Sequence, residues 1–376
     1  MPPDAIEIGY VRRVLVIKLR HHGDVLLTTP VFRALRQVLP DAEVDALVYA
    51  ETSPLLEGNP DLAQVYVIDK NWKNKNLAEQ ARNEWALFQQ LRARNYDLIV
   101  HLTENKRGLW LARLLNPRYA VAPHIAAGRI ANWFWRTTFT HRYHTESTNR
   151  NLVQRHVVEQ NLDALRRIGI VPPEDRALVL HPIETARHNI AQRLAQAGLR
   201  AGEYIVLHPG SRWLFKCWSV ERNRELIAHL LRAGKQVVYT AAPDTRELAM
   251  RNAIVRGLDD KTGLHDFSGS LNLQELAVLI GQAHCFIGVD SAPMHIAAAM
   301  QTPTVALFGP SGEKAWGPWQ VANRVITSDD HPCRPCGQDG CGGGKISECL
   351  THLPLARVLR AVEELTGSAA IKIVRE

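Results

Sequence analysis

One pattern governs what this chain can become. Short β-branched runs, too brief for helices, alternate with stretches whose apolar residues recur at helical spacing, and the alternation is played through twice. The first round predicts strands at Val14–Leu19, Val44–Tyr49, Val65–Ile68, Tyr96–His101 and Tyr119–Ala122, with helical stretches Thr28–Leu39, Leu55–Asn59 and Leu77–Arg94. After a polar region from Pro172 to Gly202, the second round predicts strands at Tyr204–His208, Gln236–Thr240, His265–Ser268, Cys285–Val289 and Thr304–Phe308. Its helices are expected at Val220–Ala233, Thr245–Gly257, Leu273–Ala283 and Met294–Met300. Strands separated by crossover helices pair in parallel, so each round implies a doubly wound α/β domain.

The 376 residues amount to about two and a half ordinary domains. We therefore expect an N-terminal Rossmann-like domain over 1–185, a second over 186–353, and a C-terminal helix and tail over 354–376. The amphipathic stretch Leu355–Leu365 could cap either lobe. Two such domains would face a cleft, because open α/β sheets bind ligands beyond the carboxyl ends of their strands. An apolar content of 46% with 22% charged residues excludes a disordered or collagen-like chain. The net charge of +7 favours an anionic or phosphorylated partner without identifying it, and no nucleic-acid partner is expected.

The start, Met1-Pro2-Pro3-Asp4, lacks a basic segment leading into an apolar run, which predicts a cytoplasmic protein. The longest uncharged stretch, Ser291–Gly312, is interrupted by Pro293, Pro303, Gly309 and Pro310 and is no bilayer span. Cys217 and Cys285 stand alone, whereas Cys333, Cys336, Cys341 and Cys349 share a Gly-rich loop. Those four could hold a structural zinc or be free thiols; their later spacings are irregular for a metal site.

Three motifs fall at predicted strand ends. The first, Lys18-Leu19-Arg20-His21-His22-Gly23-Asp24, places an acid beyond the first strand, with a glycine for a tight turn. Asp24 is either a general base or the N-cap of the next helix; the adjoining Arg20, His21 and His22 favour a polar site. The second, His208-Pro209-Gly210-Ser211-Arg212-Trp213-Leu214-Phe215-Lys216, offers backbone amides, the Ser211 hydroxyl and the Lys216 charge to a phosphate, or is an ordinary solvated loop. The third, Gly288-Val289-Asp290-Ser291-Ala292-Pro293-Met294-His295, ends a strand at an acid and opens a helix of small residues. Asp290 and Ser291 could cap that helix only, and His295 could be a core histidine. The shared position of all three favours a site.

There is no Gly-x-Gly-x-x-Gly turn and no Walker loop, since Asp339 stands where the first glycine before Gly344-Lys345 belongs. Hydride transfer and P-loop phosphoryl transfer are disfavoured. An Asp-x-Asp pair for a divalent cation is also missing, which would leave a departing diphosphate to Lys216, Ser211 and helix N-termini. The stretch Arg129-Ile130-Ala131-Asn132-Trp133-Phe134-Trp135-Arg136 could lie on an anionic membrane surface or fill the first domain's core. Lys70, Lys73 and Lys75 form a basic loop, either solvated or turned to acceptor phosphates.

Together these motifs resemble glycosyltransferase family nine, the bacterial lipopolysaccharide heptosyltransferases, along nearly the whole chain. The marks are Gly23-Asp24 with Pro30 six residues on, Leu214-Phe215-Lys216-Cys217-Trp218, and Asp290-Ser291 with His295. The flanking residues look most like the heptosyltransferase III branch, which adds a branch heptose to the inner core. The resemblance implies a GT-B fold, an acceptor-binding N-lobe and a nucleotide-sugar-binding C-lobe. It also implies inverting transfer from ADP-heptose without a metal or other cofactor. By position, Asp24 looks like the base and Lys216 like the phosphate-neutralising lysine, with Ser211 beside it. Asp290 looks like the grip on the donor sugar, while Ser291, Ala292, Pro293 and His295 surround the diphosphate; Asp244 is a candidate for the ribose hydroxyls. Arg20, His21 and His22 would meet the acceptor. Ser211-Arg212 stands where some relatives carry two threonines, removing one hydroxyl contact.

The implied protein is a cytoplasmic enzyme peripheral to the inner membrane, with ADP-heptose and the lipopolysaccharide inner core as partners. Rival readings are a heptosyltransferase of type I or II or another family member with a different acceptor, a sugar-nucleotide epimerase or hydrolase, and a non-catalytic nucleotide-sugar-binding protein.

Overall fold

The computed structural model describes residues 2–125, 129–145 and 155–367. Of these, the residues within Met1–Glu146 and Val157–His181 form one compact unit, and those within Ser147–His156 and Pro182–Glu376 form another. The parting at 181/182 falls inside the polar region. That region is no simple linker, because Glu184–Gln196 is helical and buries Ala186, Ile190 and Leu194.

The first unit is built on a parallel sheet of β1 (Arg13–Ile17), β2 (Glu43–Tyr49), β3 (Gln64–Ile68), β4 (Leu98–His101), β5 (Tyr119–Pro123) and β6 (His141–Tyr143). Their order is β3-β2-β1-β4-β5-β6. Its helices are α1 (His22–Leu26), α2 (Thr29–Val38), α3 (Leu77–Ala93), α4 (Lys106–Leu115), α5 (Arg129–Thr138) and α6 (Val157–Arg167). The second unit repeats the plan with β7 (Tyr204–His208), β8 (Gln236–Tyr239), β9 (Leu264–Asp266), β10 (Cys285–Val289), β11 (Thr304–Leu307) and β12 (Asn323–Ile326). Their order, β12-β11-β10-β7-β8-β9, is the same arrangement, and every pairing in both sheets is parallel. Its helices are α7 (Glu184–Gln196), α8 (Val220–Arg232), α9 (Thr245–Arg256), α10 (Leu273–Gly281), α11 (Ala292–Ala299), α12 (Glu313–Trp316), α13 (Glu348–Thr351) and α14 (Leu355–Thr366).

Each sheet thus changes winding direction once, between β1 and β4 and between β7 and β10. A doubly wound sheet leaves a crevice at that point, because neighbouring crossovers leave in opposite directions. All three sequence motifs follow strands that border one of these seams.

The central strands are largely apolar on both faces, as a sheet covered by helices requires. Asp45 on β2 is a buried charge among them. It is fully buried and accepts from Arg94 Nε at 2.9 Å and Tyr96 Oη at 2.8 Å. Removing one partner from such a buried pair typically costs about 3–5 kcal/mol. At the other end of the chain, Val358, Leu359, Ala361 and Val362 of α14 join the second unit's core. The amphipathic C-terminal stretch therefore caps the second sheet.

Several elements depart from the expected pattern. Leu55–Asn59 is not helical; a 3-10 turn over Ala50–Leu55, which contains Pro54, takes its place. β6 and β12 were not expected from their sequences, His-Arg-Tyr and Asn-Arg-Val-Ile, which are short and polar edge strands.

Candidate functional site

In the first unit, β1 ends at Ile17 and the chain turns directly into α1. Gly23 lies inside this helix, so it is not the tight-turn residue expected from sequence. Asp24 sits in the first turn and His21 is the N-cap, so Asp24 does not occupy the capping position; its side chain is partly exposed. The hydroxyls that follow lock the helix in place. Thr28 Oγ1 donates to the Asp24 carbonyl at 2.9 Å, Thr29 Oγ1 donates to the Leu26 carbonyl at 2.8 Å, and Pro30 opens α2.

Lys18 is the residue of this motif whose role the sequence did not reveal. It is buried, and its Nζ donates to Asn161 Oδ1 at 3.0 Å and to the Leu102 carbonyl at 3.3 Å. Asn161 in turn donates to the Leu27 carbonyl at 2.9 Å, tying α6 to the segment behind Asp24. Burial pushes the Lys18 ammonium down to about 8, with the Asp24 carboxylate opposing the shift and Arg20 adding to it. A buried lysine at a strand end, six residues before a helix-borne acid, was the available signal. Arg20 and His21 are exposed, and His22 Nε2 lies 3.0 Å from the Glu51 carbonyl. Glu51 pairs with Lys70 at 2.6 Å, so the basic loop's first lysine is engaged locally, while Lys73 and Lys75 are exposed.

In the second unit, the register that sets Gly288 opposite His208 brings the ends of β7 and β10 side by side. Lys216, on a 3-10 turn over Leu214–Lys216, reaches across this seam, and its Nζ lies 2.6 Å from Asp290 Oδ2. Asp290 is almost fully buried, so the pair is poorly screened by water. Ser211 is buried in the same loop, and its Oγ accepts the Trp213 amide at 3.3 Å. Ser291 does not cap α11 with its side chain; its hydroxyl turns back to the Val289 carbonyl at 3.2 Å. A helix start without a side-chain cap leaves amide donors to meet an anion. Ala292 and Pro293 form the first turn of α11, and His295 is buried along it.

Beneath this loop lies a pair that sequence reading did not single out. Glu247 of α9 is buried, accepts the Ala242 amide at 2.9 Å and lies 3.5 Å from His208 Nε2, while His208 Nδ1 is 2.9 Å from Thr240 Oγ1. Burial works against the Glu247 charge, but His208 and the Ala242 amide more than offset it, holding the carboxyl below its ordinary value. A Cβ on Gly210 would come within 2.5 Å of Glu247 Oε2. Close approach to this carboxylate is therefore why a glycine stands before Ser211. Asp244 N-caps α9, accepting the amides of Arg246 and Glu247, and pairs with Arg246. That cap already engages its carboxylate.

The four clustered cysteines are free thiols, as are Cys217 and Cys285. Among the described residues no group of three or more His, Cys, Asp or Glu is disposed to hold a metal ion. Trp135 fills the first unit's core with its indole N–H donated to the Pro123 carbonyl at 2.9 Å, whereas Trp133 is exposed. The stretch thus fills the core with Trp135 and leaves Trp133 at the surface; the side chains of residues 129–131 lie outside the described residues. No helix among the described residues is long and apolar enough to cross a membrane.

Known proteins with related sequences and folds place this geometry. The model of glycosyltransferase family 9 (heptosyltransferase) matches residues 84–346. Lipopolysaccharide heptosyltransferase 3 of Escherichia coli is 35% identical over 351 residues, covering 93% of this chain and 98% of the relative. Lipopolysaccharide heptosyltransferase 1 of Pseudomonas aeruginosa is 27% identical over 88% of this chain and 87% of its own. Among solved structures, a family 9 glycosyl transferase from Veillonella parvula superposes with a TM-score of 0.79 at 23% identity, covering 96% of this chain and 99% of its own. E. coli heptosyltransferase WaaC with ADP superposes with a TM-score of 0.70 at 20% identity, over 94% and 99%. The structural likenesses show a GT-B fold of two Rossmann-like units. The family match over most of the second unit and part of the first, joined to 35% identity along nearly a whole heptosyltransferase, makes this chain a member of glycosyltransferase family 9.

Proposed function

We propose that this chain transfers a heptose from ADP-heptose to a sugar hydroxyl of the lipopolysaccharide inner core, as a heptosyltransferase of type III, with inversion and without a metal ion. The observation that carries the reading is the Lys216–Asp290 pair at the seam between β7 and β10. Such a pair offers a cation to a leaving diphosphate and a carboxylate to sugar hydroxyls at the place where a doubly wound sheet binds its ligand. The first unit takes the acceptor, with Arg20, His21 and His22 around it, and the second takes the nucleotide sugar. Asp24 receives the acceptor proton as the acceptor oxygen attacks the anomeric carbon. The bond from that carbon to the diphosphate oxygen breaks, and its electron pair leaves with ADP. Lys216, Ser211 and the start of α11 stabilise the departing charge. Ser291, Ala292, Pro293 and His295 shape the diphosphate's surroundings, and the exposed part of Asp244 is the candidate for the ribose hydroxyls.

The acceptor is lipid-anchored on this reading, so the enzyme works as a peripheral protein on the cytoplasmic face of the inner membrane. Mass spectrometry of a defined inner-core oligosaccharide after incubation with ADP-heptose tests the reaction. One added heptose is expected. ADP released equally fast without acceptor would instead indicate a hydrolase, and tight binding without turnover a binding protein.

A further inference from the structure

Three helices of the first unit carry large apolar side chains into solvent. Trp85 on α3, Trp110 on α4 and Trp133 on α5 are 59%, 52% and 56% exposed, and Leu114 on α4 is 60% exposed. Tryptophan is rarely left this open, because its ring holds the largest apolar area of any side chain. The residues are not scattered. Lys106, Trp110, Arg113 and Leu114 recur at helical spacing along one exposed face of α4. Trp110 packs on Phe134 with ring centroids 5.8 Å apart, and Phe134 on Trp133 at 4.9 Å. Arg113 Nη1 reaches the Thr137 carbonyl of α5 at 3.3 Å. On the α3 side, Glu84, next to Trp85, pairs with Arg107 of α4.

Positive charge predominates on this face. The described side chains of α4 and α5 include Lys106, Arg107, Arg113 and Arg136 and no acidic residue. No carboxylate among the described residues forms an ion pair with Arg113 or Arg136. Arg142 donates to the Arg136 carbonyl at 3.4 Å, adding a further cation at the edge. Tryptophans set among arginines match the boundary of a bilayer with anionic headgroups: the indoles seat at headgroup depth while the guanidinium groups meet phosphate.

We infer that the α4–α5 face, with Trp110, Leu114, Trp133, Arg113 and Arg136 at its centre, is the surface by which this chain seats on an anionic lipid bilayer. The inference rests on the reading above that the acceptor is lipid-anchored, and it adds where the chain meets the lipid. The test is co-sedimentation of the full chain with vesicles of phosphatidylglycerol and phosphatidylethanolamine in equal parts, against vesicles of phosphatidylcholine. Binding to the anionic vesicles, a blue shift of tryptophan emission and weakening by salt are expected. Arg113→Gln and Arg136→Gln should each weaken partition by about fivefold, and the Trp110→Ser, Trp133→Ser double variant should abolish the blue shift. Circular dichroism checks that each variant is folded. Equal binding by folded variants, or no binding by the parent chain, overturns the inference. So does a concentration-dependent dimer in lipid-free sedimentation that the double variant abolishes, since a second copy would then cover this face. Transfer to a lipid-free core oligosaccharide is measured on the same samples and should be unchanged in the variants. Its absence in the parent chain would count against the proposed reaction, whereas the vesicle result alone decides the surface.

Discussion

The ammonium of Lys216 lies 2.6 Å from the carboxylate of Asp290, joining two motifs 74 residues apart across the seam between β7 and β10. Each neutralises the other until an anion arrives. A diphosphate that draws Lys216 away would free Asp290 to accept hydrogen bonds from sugar hydroxyls, so one residue exchange would prepare both contacts. Lys216→Ala should therefore harm more than phosphate binding, because it also leaves a nearly buried carboxylate without its cation. We expect kcat/KM for heptose transfer to fall about 10²–10³-fold, with weaker ADP binding by calorimetry. Unchanged kinetics would remove Lys216 from the phosphate role.

Asp24 belongs to the other unit, and its effect should be separable. Asp24→Asn keeps the shape of α1, whose fixing bonds from Thr28 and Thr29 reach backbone carbonyls and not the Asp24 side chain. Transfer should drop by about 10²–10⁴-fold, as for loss of a general base, while ADP affinity stays within twofold or so of the parent value. An active Asn variant would exclude Asp24 as the base.

What could be read from the chain, and what could not, divides along physical lines. The central strands were legible because a strand covered on both faces must be a continuous apolar run, as Val14–Ile17 and Cys285–Val289 are. Asp24, Lys216 and Asp290 were legible because the motifs sit at strand ends. Lys18 and Glu247 were not. Their importance comes from burial and from partners 143 residues away in one case and 39 residues back, on β7, in the other, which no local spacing records. Gly210 sits within a legible motif, yet its reason is a carboxylate 37 positions along the chain packed against its Cα. The tryptophan face was half visible: the aromatic stretch was noted, but its continuation onto α4 depends on which helices lie side by side.

Gly210→Ala tests that buried carboxylate. The added methyl must push either the Ser211 loop or Glu247 aside, since their separation would be 2.5 Å. A loop displaced by even about 1 Å can cost some 10²-fold in rate. The expected pattern is reduced ADP affinity and reduced turnover, with acceptor KM unchanged. Parent-like ADP binding would show that the loop tolerates movement and that the glycine is there for another reason.

Lys18 gives the stability of the first unit a pH dependence of definite sign. Folded, its ammonium loses a proton near pH 8, and in the unfolded chain near the ordinary 10.5. Below pH 8 both states are protonated and the cost of burying the charge is fully present. Between about pH 8 and 10.5 the unfolded chain holds the extra proton, so stability from this residue rises with pH, by about 3 kcal/mol in all. Lys18→Met should flatten that rise in urea unfolding curves taken at successive pH values. It should also slow transfer, because the bonds from Nζ to Asn161 and the Leu102 carbonyl that fix the segment behind Asp24 are lost. A rise that persists in the variant would assign the slope to another group.

His101 sets the acid limit in the same unit. Its ring is buried between Trp135 and Phe139, at 5.7 and 5.5 Å between centroids, and burial lowers its pKa to about 4. A Cβ on Gly108 would collide with the same ring, so the pocket has no spare volume for water to solvate a charge. In the unfolded chain the imidazole takes its proton near pH 6.5. The stability contributed by keeping it neutral is therefore complete above that value and is lost as the pH falls from 6.5 through about 4, by about 3 kcal/mol. His101→Phe retains an aromatic ring in the pocket and removes the titration. Its unfolding midpoint should fall less steeply between pH 6.5 and 4 than that of the parent chain. If the two curves run parallel, His101 is not the group that gives way in acid.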